Sequence, residues 1–202
     1  MKLYYSPGAC SLSQHINLRE ASLEFDLVKV DLKAKQTEDD RDFLKVNLKG
    51  QVPALERDDG EILTENPVIA EYIADLAPQS GLIPPAGTIE RYRVMEWLSF
   101  VGSELHKTFG PLFRPNTPDD YKVIATENFG KKLDVVEQHL AKGHDYLAGD
   151  RFSAADAYCY VVLRWPSRVG MDLPRWPTIG AYSARIAARP AVQEALKAEG
   201  LS

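Results

Sequence analysis

The chain has 202 residues, 45% of them hydrophobic and 26% charged, enough to bury a sizeable core as one large domain or two small ones. Its formal net charge of -5 comes from acids and bases mixed along the whole length, with no basic run to neutralise phosphates, so nucleic acid is not an expected partner. The longest apolar run, Tyr158 to Leu163, is far short of a membrane span, and Pro7-Gly8 comes too early for a signal-peptide core, so a cytoplasmic protein without membrane contact is expected.

Leu3 to Tyr5 reads as a short strand, Ser11 to Ala21 as a helix and Asp26 to Asp31 as a second strand. The polar stretch Thr37 to Asn47 reads as a short helix. Ala54 to Arg57 and Ile62 to Thr64 flank Asp58-Asp59-Gly60, a turn signal that joins two antiparallel strands. Asn66-Pro67 then offers an N-cap and a first-turn proline to a helix carrying Val68, Ile69, Tyr72, Ile73 and Leu76. The order β-α-β-α-β-β-α predicts a mixed four-strand sheet of the thioredoxin-like α/β kind over residues 1–77.

Pro78 and then Pro84-Pro85-Ala86-Gly87 break the periodicity, which makes 78–87 a linker. Beyond it only helical patterns occur: Thr88 to Phe109, Pro118 to Lys142, Ser153 to Val169, Thr178 to Ala188 and Ala191 to Glu199. Residues 88–202 are therefore expected to form an all-α domain.

Two cysteines, Cys10 and Cys159, stand far apart without the spacing of a disulfide framework or a metal site, so Cys10 is expected as a free thiol. It follows the first strand and precedes the first helix, where free N–H groups and the helix dipole favour a thiolate. A small buried residue at a strand–helix joint fits the position equally well. Cys10-Ser11-Leu12-Ser13 lacks the second thiol of a Cys-x-x-Cys pair, which disfavours a two-thiol disulfide cycle and suits a one-thiol partner such as glutathione. In Gln51-Val52-Pro53 the proline removes a donor and leaves the Val52 backbone to pair elsewhere; taken alone, the Val52–Pro53 bond is expected to be trans. Glu65 and Asn66 open a helix whose N–H groups can hold a carboxylate, though most such ends hold only a cap and water.

On the helix from Thr88, at about 100° per residue, Ser99, Ser103 and His106 gather within roughly 60° opposite the apolar stripe, beside Lys107; a solvated outer face is the simpler reading. Gly102 hints at the close approach of a partner surface. Ser153 to Asp156, after Phe152, reads as a capping box with a folding role. No histidine has a neighbour at ligand spacing, so no metal is expected. Phe109, Phe113 and Trp165 read as core.

Taken together, Tyr5-Ser6-Pro7-Gly8-Ala9-Cys10-Ser11-Leu12-Ser13, Gly50-Gln51-Val52-Pro53-Ala54-Leu55 and Leu63-Thr64-Glu65 resemble the beta-class glutathione transferases of bacteria. So do Ser103 to Lys107, Pro111 to Pro115 and Phe152 to Tyr158, and the resemblance covers essentially the whole chain. It implies a thioredoxin-like domain joined to a helical domain, acting as a homodimer with glutathione as co-substrate in the clefts. It further implies that Cys10 contacts the glutathione sulfur and that Val52 pairs with the peptide before a cis Pro53. Lys35 and Gln51 would hold the tripeptide ends, and Glu65 and the N–H of Asn66 the γ-glutamyl end. Ser99, Ser103, His106 and Lys107 would face the same cleft, some from the partner subunit, with Tyr5, Phe109, Phe113 and Trp165 lining a pocket for a small hydrophobic electrophile. His106 would act as a donor or electrostatic aid. Asn66 stands where a serine or glycine is usual in that class, and Ser99 where an asparagine is. The expected activity is conjugation of glutathione to hydrophobic electrophiles; the rivals are a glutathione-dependent thiol-disulfide or peroxide reductase and a non-catalytic hydrophobic-ligand binder.

Overall fold

β1 (Lys2–Tyr5) pairs in parallel with β2 (Asp26–Asp31) across the helix α1 (Leu12–Glu20), the βαβ unit anticipated from the alternating opening. A computed structural model describes residues 1–171 and 174–201. After β2 the chain turns back: Asp31 Oδ1 accepts from the N–H groups of Lys33 and Ala34 at 2.8 and 2.9 Å, and Lys35 takes φ +58°. That reversal lays β3 (Gln36–Thr37) antiparallel against β2. The sheet therefore has five strands instead of four, in the order β3-β2-β1-β4-β5, with β4 (Ala54–Glu56) and β5 (Ile62–Thr64) antiparallel to each other and β4 antiparallel to β1.

The helix expected over Thr37 to Asn47 is replaced by this edge strand and a 3₁₀ turn at Phe43–Lys45. The residues there explain why: Thr37, Asp39 and Asp42 all hydrogen-bond to neighbouring side chains or backbone groups, Asp42 accepting from the Leu44 N–H at 2.9 Å, and so compete with a helical ladder. Phe43 turns fully inward, where it meets Tyr4 with ring centroids 5.7 Å apart. Tyr4, Val30, Phe43, Val52 and Ala54 form a buried cluster, with Ala9 packed at its edge. Each large member contributes about 1.5–3 kcal/mol by burial. Both loops that carry the candidate site, at Ala9-Cys10 and Val52-Pro53, are thereby seated on one core.

α2 (Asn66–Leu76) closes the sheet segment. Its N-cap is Glu65, not Asn66 as expected from the sequence, and Glu65 holds φ +73°, a region a long side chain rarely occupies.

The helical part begins with α3 (Ile89–Phe100), which runs on through a π-helical turn at Val101–His106 into the short α4 (Lys107–Phe109) and a 3₁₀ turn at Gly110–Phe113. α5 (Asp119–Leu140), α6 (Ala154–Leu163), α7 (Pro177–Ala187) and α8 (Pro190–Ala198) follow. Every residue of α6 is buried, which makes it the central helix, with α3 and α7 packed on it. The capping box at its start is formed: Asp156 accepts from the Ser153 N–H at 2.8 Å and the Ser153 hydroxyl at 2.7 Å.

The chain divides into two compact units, Met1–Pro84 with Ala188–Ser202, and Pro85–Ala187. The last helix, read from the sequence as the end of the all-α domain, thus belongs with the sheet, where it packs on α1. Its pattern could not reveal this, because an apolar stripe states that a helix is buried and not against what. Among the described residues, no helix is long and apolar enough to cross a membrane.

Candidate functional site

Cys10 lies in the turn before α1, partly exposed, and its thiol donates to the Val52 carbonyl at 3.2 Å. The Val52–Pro53 bond is cis, against the expectation from the residues alone and in line with the family resemblance. Asn66 reaches the same turn: its Nδ2 donates to the Cys10 carbonyl at 3.3 Å, while its Oδ1 accepts from Ser13 Oγ at 3.1 Å and Gln14 Nε2 at 2.8 Å. It is buried and committed to these contacts, which is why it does not cap α2. Its N–H stays at the open end of the helix, together with that of Val68, among the groups a helix start leaves without helical partners.

Burial pushes the Cys10 thiol up to about 12, outweighing the hydrogen bonds to Asn66 and to the backbone that pull it down, and the Glu65 charge adds to the rise. Of the two readings the sequence leaves open, a helix-activated thiolate and a small buried residue, this direction favours the second. In the ligand-free protein Cys10 is a neutral hydrogen-bond donor.

The neighbouring loop is tied down by two lysines. Lys35 Nζ donates to the Gly50 carbonyl at 2.7 Å, and its methylenes lie over Gly50, where an added Cβ would stand 3.4 Å from Lys35 Cε and 3.0 Å from Leu44 Cδ2. With φ +59° besides, position 50 accepts only glycine comfortably. Gln51 is exposed, and its carbonyl accepts from Asn47 Nδ2 at 2.8 Å. Lys49, which the sequence reading passed over, reaches Glu65 Oε1 at 2.6 Å and Thr64 Oγ1 at 2.8 Å. A lone lysine in a polar loop has no periodicity to mark it; only the fold brings residues 49 and 65 together. Val52 and Asn66 thus contact the Cys10 turn directly, while Lys35 holds Gly50 and Lys49 holds Glu65 at the start of α2.

Tyr5 is buried on β1, 6.4 Å from the His15 ring, with its hydroxyl shifted upward by burial and by Glu199. In the helical unit, Phe109, Phe113 and Trp165 form one cluster with centroid separations of 5.0 to 5.9 Å, and His106 stacks edge-on against Trp165 at 4.7 Å. Phe109 and Trp165 are buried, while Phe113 is 44% exposed, so the cluster is core with one open edge.

The π turn changes the helix face inferred at ideal pitch. Ser99, Ser103 and Lys107 are exposed, and Ser103 Oγ donates to the Ser99 carbonyl at 2.9 Å. His106 instead turns inward, sharing a 2.7 Å hydrogen bond between Nδ1 and the Tyr158 hydroxyl. Burial, aided by the Lys107 charge, lowers its imidazole to about 4, so it is neutral at physiological pH. A Cβ added at Gly102 would stand 3.6 Å from Tyr158 Cε1, an ordinary contact distance, so a side chain of this chain already lies against the glycine. Among the described residues, no group of histidine, cysteine and acid side chains is arranged to hold a metal.

The family models for the glutathione S-transferase N-terminal and C-terminal domains match residues 1–75 and 100–190. The chain is 49% identical over 201 residues to glutathione S-transferase GstA of Escherichia coli O157:H7, covering 100% of both. Among solved structures it superposes on the beta-class glutathione S-transferase of Sphingomonas chungbukensis with TM-score 0.97 and 51% identity, covering 100% of both chains. A sphingomonad glutathione S-transferase complexed with glutathione matches with TM-score 0.96 and 54% identity, again covering 100% of both.

Proposed function

Because the chain belongs to the glutathione S-transferase family, we propose that it conjugates reduced glutathione to small hydrophobic electrophiles, with Cys10 at the glutathione sulfur. The carrying observation is the thiol of Cys10 on the Val52 carbonyl at 3.2 Å, beside the open end of α2. In this reading the peptide pairs with the Val52 backbone before the cis Pro53, its γ-glutamyl carboxylate takes the Asn66 N–H, and its ammonium meets Glu65. Lys35, Lys49 and Gln51 hold the remaining polar ends. The protonated Cys10 then turns its S–H from Val52 to the glutathione sulfur and, as the glutathione thiol gives its proton to solvent, stabilises that sulfur as a thiolate, the nucleophile of the reaction.

The helical unit supplies the apolar surface. Phe109, Phe113 and Trp165 bind the electrophile, and neutral His106 donates a hydrogen bond rather than a charge. Ser99, Ser103 and Lys107 complete the polar side as exposed donors. A cytoplasmic homodimer is part of the proposal and rests on the family resemblance.

The reductase reading requires Cys10 as an attacking thiolate. A thiol near 12 leaves on the order of one molecule in 10⁵ ionised at neutral pH, which weighs toward conjugation. Incubating the reduced protein with oxidised glutathione at alkaline pH, where exchange is not limited by ionisation, tests the placement. Intact mass is expected to show one glutathione per chain, lost in Cys10→Ala; an adduct that survives the substitution, or none at all, would move the sulfur chemistry away from Cys10.

A further inference from the structure

α8 is tied to α1 at three points in antiparallel register. Arg189 forms a two-pronged pair with Glu20 at 2.6 and 2.9 Å, Arg19 Nη1 reaches Glu194 at 3.0 Å, and His15 Nδ1 meets Glu199 Oε1 at 2.9 Å. The first two pairs are partly or well exposed and belong to helix docking alone. The third differs, because the side chains of both His15 and Glu199 have no exposure.

The other oxygen of Glu199 accepts from the Gly8 N–H at 2.9 Å, across 191 residues of sequence. Gly8 holds φ +67° in the turn that runs from β1 to Cys10. On the far side of the imidazole, Arg19 Nε donates to His15 Nε2 at 2.9 Å. An arginine nitrogen can only donate, so His15 Nε2 is an acceptor and the proton sits on Nδ1, facing Glu199. Both oxygens of one buried carboxylate are therefore required as acceptors, one for His15 and one for the backbone two residues before the thiol. Arg189 and Glu194 meet Glu20 and Arg19, toward the C-terminal end of α1.

We propose that Glu199 is a positioning residue for the thiol site: through Gly8 it holds the turn that sets Cys10 Sγ against Val52. The link to glutathione rests on the reading of Cys10 as the thiol that faces it. The sequence offers no sign of this role, since Glu199 reads as one more acid at the end of a surface helix.

Glu199→Gln tests it. The amide keeps the shape but offers only one acceptor, so its NH₂ must oppose either the Gly8 N–H or the His15 Nδ1–H, and His15 cannot change tautomer without opposing Arg19. Cys10 alkylation by iodoacetamide, followed by mass with Cys159 as the fully buried internal control, is expected to accelerate about fivefold. The KM for glutathione, with 1-chloro-2,4-dinitrobenzene as electrophile, is expected to rise about tenfold while kcat stays within about twofold. Arg189→Ala, which removes the pair with Glu20 at the other end of the same helix, should lower Tm but leave both readouts unchanged. If Glu199→Gln lowers Tm and leaves both at wild-type values, or if Arg189→Ala shifts them equally, Glu199 merely docks the helix and the proposal is overturned. Should Glu199→Gln fail to fold, Glu199→Asp keeps two acceptors on a shorter stem, and an intermediate rise in both readouts is expected; wild-type values overturn the proposal. Alkylation uses no glutathione, so faster alkylation with an unchanged KM upholds Glu199 as the holder of the turn and overturns the placement of glutathione at Cys10.

Discussion

Cys10 stands where the N-terminal end of α1 would draw a thiol toward ionisation, yet desolvation wins, and the thiol rises to about 12. The consequence can be measured directly. The alkylation rate of Cys10 in the ligand-free protein should climb about tenfold per pH unit through about pH 10 with no plateau, and a plateau near neutrality would refute the burial argument. His106 shows the same competition with the opposite sign, since burial disfavours its cationic form and lowers it to about 4. The unfolded chain then takes up a proton near the ordinary histidine value, before the folded one does. His106 thus contributes stability that is complete above about pH 6.5 and is lost as pH falls from there to about 4. Melting temperatures of wild type and His106→Gln should converge across that window on acidification; two parallel curves would show that His106 is not held neutral. Both residues were named from sequence, Cys10 by its place before a helix and His106 by resemblance. Their protonation states were not, because desolvation depends on atoms contributed by distant segments.

At the scale of elements, local chemistry explains most of what formed. The capping box of α6 was readable from Ser153 to Asp156, but its reach was not: Asp156 Oδ1 also accepts from the Leu147 N–H at 2.9 Å and the Tyr182 hydroxyl at 2.8 Å. A simple cap contributes about 1 kcal/mol. Removing a buried acceptor shared by four donors leaves several of them unpaired, so Asp156→Ala is expected to cost about 3–5 kcal/mol in denaturant unfolding. A loss near 1 kcal/mol would mean that Leu147 and Tyr182 find other partners. The π turn at Val101–His106 is the counter-case. Its apolar residues Val94, Leu98, Val101, Leu105 and Phe109 keep one buried stripe, so the helical pattern looks continuous while the hydrogen-bond ladder widens and redirects His106. Likewise the strand at Gln36–Thr37 is too short for an alternating pattern and exists because the Asp31–Lys35 turn folds it back on β2.

At the scale of the whole chain, the alternation of strand and helix periods, the Asp58-Asp59-Gly60 hairpin and the proline break after α2 were enough to predict a sheet-bearing first part and a helical second part. These signals depend on residues within a few positions of one another, which is the range over which periodicity and turn chemistry act. The position of the free thiol Cys10 was legible for the same reason, since it marks a strand-to-helix joint. Tertiary structure decided the rest: that α8 leaves the helical part to pack on α1, that Lys49 meets Glu65, and that the carboxylate of Glu199 takes the N–H of Gly8. None of these pairs is close in sequence, and each is selected by burial and hydrogen-bond geometry that arise only when the chain has closed. Residue types and spacing thus sufficed to name the thiol, whereas its protonation and the carboxylate that holds its turn came from contacts between segments at opposite ends of the chain.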